Sequence, residues 1–177
     1  MERFTSEVLK NAGVHEFAFL NPADIKFEDE IQAICGNGAC EMYGKTWACP
    51  PALGDAKECR QRCLGYSNAM LFSAVYELED SFDYEGMLEA GVKFRELCDD
   101  IYNIAGGDNN KFLMLCNGAC LRCKECTYPN SPCRFPEKLF LSLEGHGIMV
   151  STLAKSLGMK YINGKDTVTY FGMILAK

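Results

Sequence analysis

The chain has 177 residues, 48% of them hydrophobic, and a formal charge of −6: enough for one domain with a real core, and too acidic for a surface that neutralises nucleic-acid phosphates. No stretch is long and apolar enough for a membrane span, and the opening MERFTSEVLKNAGVHEF has no leader-like apolar run. Eleven cysteines, an odd number without a leader, argue against a disulfide framework and predict a cytoplasmic, reducing setting where thiolates hold metal.

In chain order, residues 1–13 read as a short helix with Phe4, Val8 and Leu9 on one side and Gly13 as its stop. Residues 15–20 alternate polar and apolar side chains, so they predict a strand, ended by Asn21-Pro22. Residues 23–34 fit neither period.

A first cysteine-rich loop, about 35–63, follows with Cys35, Cys40, Cys49, Cys59 and Cys63. Gly36 and Gly38 let the backbone wrap closely round a bulky group, and Pro50-Pro51 fixes the exit of Cys49. Cys59 and Cys63 lie four apart on a predicted helix, so they share a face and either is a candidate fourth ligand, Cys59 being preferred. A set of only three cysteines would leave one metal position open. Tyr43 and Trp47 flank the first cysteines, where they shield a metal group from water or simply pack in the core.

The run 68–76 predicts a buried strand. Met87, Ala90, Phe94, Leu97, Cys98, Ile101 and Ala105 recur at three and four, the clearest helix of the chain, ended by Gly106-Gly107. Residues 111–115 predict a short strand that delivers the second cysteine loop, about 116–138. A helix is expected from Ser142 as N-cap to Gly158, and residues 167–175 predict a closing strand. The expected fold is α/β (or α+β), about four strands with packed helices, as a single metal-binding domain over 1–177 with both loops at one edge.

Residues 116–133 contain five cysteines in eighteen residues. In Cys120-x-x-Cys123-x-x-Cys126 each gap is one turn of backbone, which aims three sulfurs at one object, and Cys133 takes the place of the distant fourth ligand of a [4Fe–4S] cluster. The last gap is six residues and Arg134 replaces the expected proline, so a two-cluster ferredoxin fold is not predicted. Zinc also takes four thiolates, yet ribbon-type sites use two separate C-x2-C pairs, which a shared middle cysteine fits poorly. Arg122, Lys124, Arg134 and Lys138 against Glu125 and Glu137 make residues 116–138 +2 and the remainder −8. That local charge offsets a thiolate-ligated cluster, or is an ordinary solvated loop. Asn37-Gly-Ala-Cys40 is echoed by Asn117-Gly-Ala-Cys120, the mark of two pseudo-equivalent halves if it is a repeat. Cys63 and Cys98 are read as small buried hydrophobes, and His146 as a partly exposed histidine.

The stretches CGNGACEMYGKTWACPPALG, GACLRCKECTYPNSPCRFPEK, SLEGHGIMV and VTYFGMIL resemble a prokaryotic family of predicted metal-binding proteins, domain of unknown function 2284. The resemblance spans roughly residues 30–176. It implies Cys35, Cys40, Cys49, Cys120, Cys123, Cys126 and Cys133 as metal ligands and leaves Cys59, Cys63, Cys98 and Cys116 outside the pattern. Leu143 and Met149 stand where that family has Met and Asp.

The expected function is that of a small iron–sulfur protein with two [4Fe–4S] clusters passing single electrons to a redox partner protein. One alternative is a non-catalytic zinc-binding interaction protein, and a further one an enzyme with an open-site cluster. Motifs of serine hydrolases, P-loops, zinc proteases and dinucleotide folds are missing from the chain.

Overall fold

Two strands of ten residues, β2 (Asn68–Glu77) and β5 (Thr167–Ala176), pair antiparallel along their whole length and form the middle of the sheet. The computed structural model describes the backbone of residues 1–177 and every side chain except that of Ala39. Around this pair lie β1 (Glu16–Leu20), β3 (Phe112–Cys116) and β4 (Leu141–Ser142), giving a mixed α+β fold with five strands in the order β1-β2-β5-β3-β4. All neighbours are antiparallel except β3 and β4. The predicted strands are present. The additional one, β4, is two residues long and too short to show a period.

Both faces of the sheet are covered, which is why its central strands read as continuous apolar runs. Met70, Phe72, Met114, Cys116 and Ile174 pack against Leu9 of α1 (Ser6–Ala12) and Phe94, Leu97, Cys98 and Ile101 of α4 (Tyr84–Ala105). Leu71, Leu115, Met173 and Leu175 meet Cys63 of α3 (Ala56–Leu64) and Leu153 and Ala154 of α5 (Val150–Ser156) on the other side. Each such aliphatic or aromatic side chain contributes about 1.5–3 kcal/mol by leaving water. Val8, expected beside Phe4 and Leu9, is instead 37% exposed.

Local chemistry ends the helices where the pattern ends. Asp83 accepts from the Gly86 N–H at 2.8 Å to start α4, and Gly106 closes it at φ 114°. Asp55 and Glu58 form a reciprocal capping box at the head of α3, both bonds being 2.8 Å. The expected helix from Ser142 starts eight residues later, because 142–143 serve as fasteners. The Ser142 N–H donates to the Ala48 carbonyl and the Leu143 N–H to that of Cys116. A 3₁₀ turn at Glu144–His146 follows, Gly147 reverses the chain at φ 75°, and only then does α5 begin. The ambiguous residues 23–34 contain a 3₁₀ turn, Pro22–Asp24, and the short helix α2 (Asp29–Ile34), which runs into a wide turn over Cys35–Ala39. Among the described residues, no helix is long and apolar enough to cross a membrane.

Candidate metal centre

β3 ends at Cys116, and the chain leaves it in the turn that carries the second cysteine series. Cys120, Cys123, Cys126 and Cys133, all half-buried, line one cavity of about 360 Å³. Arg122, Lys124, Arg134 and Lys138 border the same cavity. The loop is held in shape by its own bonds: Thr127 Oγ1 donates to the Pro132 carbonyl at 2.8 Å, Arg134 Nη1 to that of Glu125 at 2.9 Å, and the Phe135 N–H to Cys133 Sγ at 3.4 Å. Arg122 fastens it to α4 through both oxygens of Asp99, at 3.0 and 2.6 Å, while its guanidinium lies over the Phe140 ring. Burial pushes the Cys120 thiol up, opposed by the Arg122 backbone N–H and by the Arg122 and Arg95 charges.

The first loop reaches this cavity too. Thr46 and Trp47 are part of its lining, Trp47 Nε1 donates to the Ser131 carbonyl at 3.0 Å, and the indole meets the Tyr128 ring edge-on at 4.9 Å. Trp47 therefore belongs to the wall around the second cysteine series and not to the first, and Tyr43 is 42% exposed and outside the core. The two loops do gather beside β3 and β4, joined as well by the Ser142–Ala48 backbone bond at 2.9 Å.

Of the first series, Cys35 follows α2 directly, Cys40 is half-buried, and Cys49 is buried ahead of Pro50. Burial raises Cys35, and the negative charges of Cys40 and Glu144 raise it further. Burial pushes Cys49 up to about 11, with Cys40, Cys35 and Glu144 adding to the shift. Such a set of desolvated, mutually repelling donors is stabilised by a bound cation. Cys59 is fully buried on α3, where its thiol faces the Leu53 and Gly145 carbonyls at 3.6 and 3.8 Å and accepts from Gln32 Nε2 and Arg62 Nη1. Cys63 is buried in the core below it, its thiol pushed up to about 12 by burial. Among the described residues, no three Cys, His, Asp or Glu side chains converge on a point as they would round a single ion. The soft donors of the second series stand round a cavity instead, a set that fits a group larger than one ion.

The echo between the loops has a backbone counterpart. Gly38 and Gly118, matching positions of the two Asn-Gly-Ala-Cys stretches, are both left-handed, at φ 88° and 58°.

Three arrangements were not foreseen from residue spacing. Cys98 and Cys116, from α4 and β3, are in contact, Sγ to Sγ 3.6 Å, with Arg95 Nη1 3.7 Å from Cys116 Sγ. The Cys98 thiol donates to Cys116, which lowers Cys116, while burial raises Cys98 well above the usual range. Glu144 Oε2 accepts from the Gly118 N–H at 3.1 Å and from Ser142 Oγ at 3.0 Å, placing a carboxylate where the second loop meets β4. His146 is 1% exposed, contrary to the partly exposed reading, and its ring nitrogens face Arg62 and the Ser142 carbonyl. The SLEGHG stretch was the signal for the last two, though nothing in it names their neighbours.

A family profile described as "Predicted metal-binding protein (DUF2284)" matches residues 18–176, which include every cysteine. The chain belongs to this family. No curated protein and no solved structure matches it. Membership indicates metal binding, and the two cysteine series offer soft donors suited to it.

Proposed function

We propose that the protein carries two [4Fe–4S] clusters and exchanges single electrons with a redox partner protein. One cluster is assigned to Cys120, Cys123, Cys126 and Cys133, the other to the loop of Cys35, Cys40 and Cys49. The observation that carries the reading is that all four cysteines of the second series line one cavity of about 360 Å³. A zinc ion, with Zn–S bonds of about 2.3 Å, would instead draw its thiolates to roughly 3.8 Å from one another.

The cofactor would supply reversible one-electron chemistry with little rearrangement. What the chain contributes is grip, shielding and charge. Trp47 and Tyr128 cover part of the cavity with aromatic surface, keeping water from the thiolates. Arg122, Lys124, Arg134 and Lys138 offset the negative charge of a thiolate-ligated group and raise its potential. Lys124, Arg134 and Lys138, which are exposed, offer an acidic partner a basic rim at the place where electrons would cross.

The test is iron, sulfide and zinc content together with the visible spectrum of protein purified without oxygen. About eight irons and eight sulfides per chain, with a broad band that bleaches on reduction, are expected for two cubanes. About two zincs and a colourless solution would overturn the redox reading in favour of a metal-stapled interaction protein.

A further inference from the structure

The first cysteine loop has three thiols, Cys35, Cys40 and Cys49, and a fourth ligand still to be assigned. We infer that Glu144 is the fourth protein ligand of the first metal centre, a carboxylate completing Cys35, Cys40 and Cys49. This rests on the reading of that loop as a metal centre.

The argument begins with the chain on either side of Glu144. The Ser142 N–H donates to the carbonyl of Ala48, the residue before Cys49. A Cβ placed on Gly145 would lie 3.0 Å from Cδ of Pro50, the residue after Cys49, and 2.7 Å from Leu53. Residues 142 and 145 thus touch both neighbours of Cys49, and Glu144 sits in the span between them. The other end of the loop is drawn to the same turn. Gln32, three residues before Cys35, donates its Nε2 to the Gly145 carbonyl at 3.0 Å.

The carboxylate is also oriented. Among the described residues its hydrogen bonds, from the Gly118 N–H and Ser142 Oγ, both fall on Oε2, which leaves Oε1 for a metal.

The two cysteines that compete for the place are engaged elsewhere. Cys59 Sγ is enclosed by the Leu53 and Gly145 carbonyls, Gln32 and Arg62. Cys63 lies in the core beside Leu71, Leu115 and Met173. A carboxylate is a harder donor than a thiolate, so the metal it holds is the more weakly bound and the more exchangeable. The first centre would then be the one with a labile corner, and the second, with four thiolates, the closed one.

The experiment compares anaerobically purified wild type with Glu144→Gln, Glu144→Cys, Cys59→Ser and Cys63→Ser for iron, sulfide and zinc per chain. Electron paramagnetic resonance after mild oxidation looks for a three-iron cluster, and circular dichroism confirms folding. Glu144→Gln keeps an acceptor for Gly118 and Ser142, so a merely structural glutamate predicts wild-type metal content. The expected result is loss of about one iron, or of about half the iron if the whole first centre is lost, with restoration in Glu144→Cys. Both serine variants should retain the wild-type content. Full metal in Glu144→Gln, or metal loss in a folded Cys59→Ser or Cys63→Ser, overturns the assignment. Wild type with two zincs and no iron sinks the cluster reading alone, and the ligand assignment then stands or falls on whether Glu144→Gln loses one zinc. Wild type without metal of either kind overturns both.

Discussion

Nε2 of His146 lies 2.9 Å from Nη1 of Arg62, and Nδ1 lies 2.7 Å from the Ser142 carbonyl oxygen. A guanidinium only donates, so Nε2 is the bare acceptor and the proton sits on Nδ1, donated to Ser142. The imidazole is therefore neutral. Burial, with the Arg62 charge beside it, lowers its pKa to about 4 from the usual 6.5. Between those values the unfolded chain binds a proton that the folded one does not. Stability from this group is thus complete above pH 6.5 and lost as pH falls towards 4, by about 3 kcal/mol in total. Denaturant titrations at pH 7 and pH 4.5 should show the loss, and His146→Gln should flatten the slope across that window. An unchanged slope would sink the neutral-histidine assignment.

The second prediction concerns the clamp of Arg122 on Asp99, in which both side chains are about three-quarters buried, with side-chain exposures of 21% and 25%. Two charge-assisted bonds of this kind are worth about 1.5–3 kcal/mol each when an uncompensated partner remains. Asp99→Ala should destabilise the protein by about that amount and speed metal release from residues 120–133 to a chelator. Release at the wild-type rate would mean the cysteine loop holds its shape without α4.

Gly172 lies opposite Phe72 in the sheet, and a Cβ there would fall 2.5 Å from the Phe72 ring. The ring cannot simply withdraw, since it packs against Phe94 at 5.9 Å between centroids. Gly172→Ala should cost roughly 1–3 kcal/mol by overpacking. The same change made together with Phe72→Leu should cost less than the sum of the two, and strict additivity in urea midpoints would contradict the clash.

Cys98 and Cys116 offer a chemical test of the α4–β3 contact. With thiols 3.6 Å apart, a small closing motion permits a disulfide. Treatment with the thiol oxidant diamide, followed by alkylation and peptide mapping, should recover a Cys98–Cys116 link, two electrons and two protons passing to the oxidant. Cys98→Ala should leave Cys116 unlinked. A wild-type map in which Cys116 pairs only with loop cysteines would show that the buried contact is not the reactive one.

What the sequence revealed and what it hid follow from the range of the interactions. Apolar runs predict β2 and β5, and the three-and-four recurrence predicts α4, because those signals lie within one element. Two-residue gaps likewise suffice to bring Cys120, Cys123 and Cys126 to one cavity. Trp47 and Ser131 are 84 residues apart, and nothing local to either states that they bond. The four-residue gap between Cys59 and Cys63 shows that they share a face, and does not show that the face is filled by Leu53, Gly145 and core side chains. His146 was misread because its partner Arg62, on α3, lies 84 residues away in the chain.

Thr46 and Trp47 furnish part of the cavity that residues 120–133 complete. The earlier segment of the chain is consequently a mould for the later one, and maturation acquires a direction. A ribosome delivers the mould first, and the second cysteine series packs against it, Trp47 meeting Ser131 and Tyr128. If the proposed centre is right, injury to residues 46–47 should therefore be felt as failed loading of a site whose own thiols are all intact.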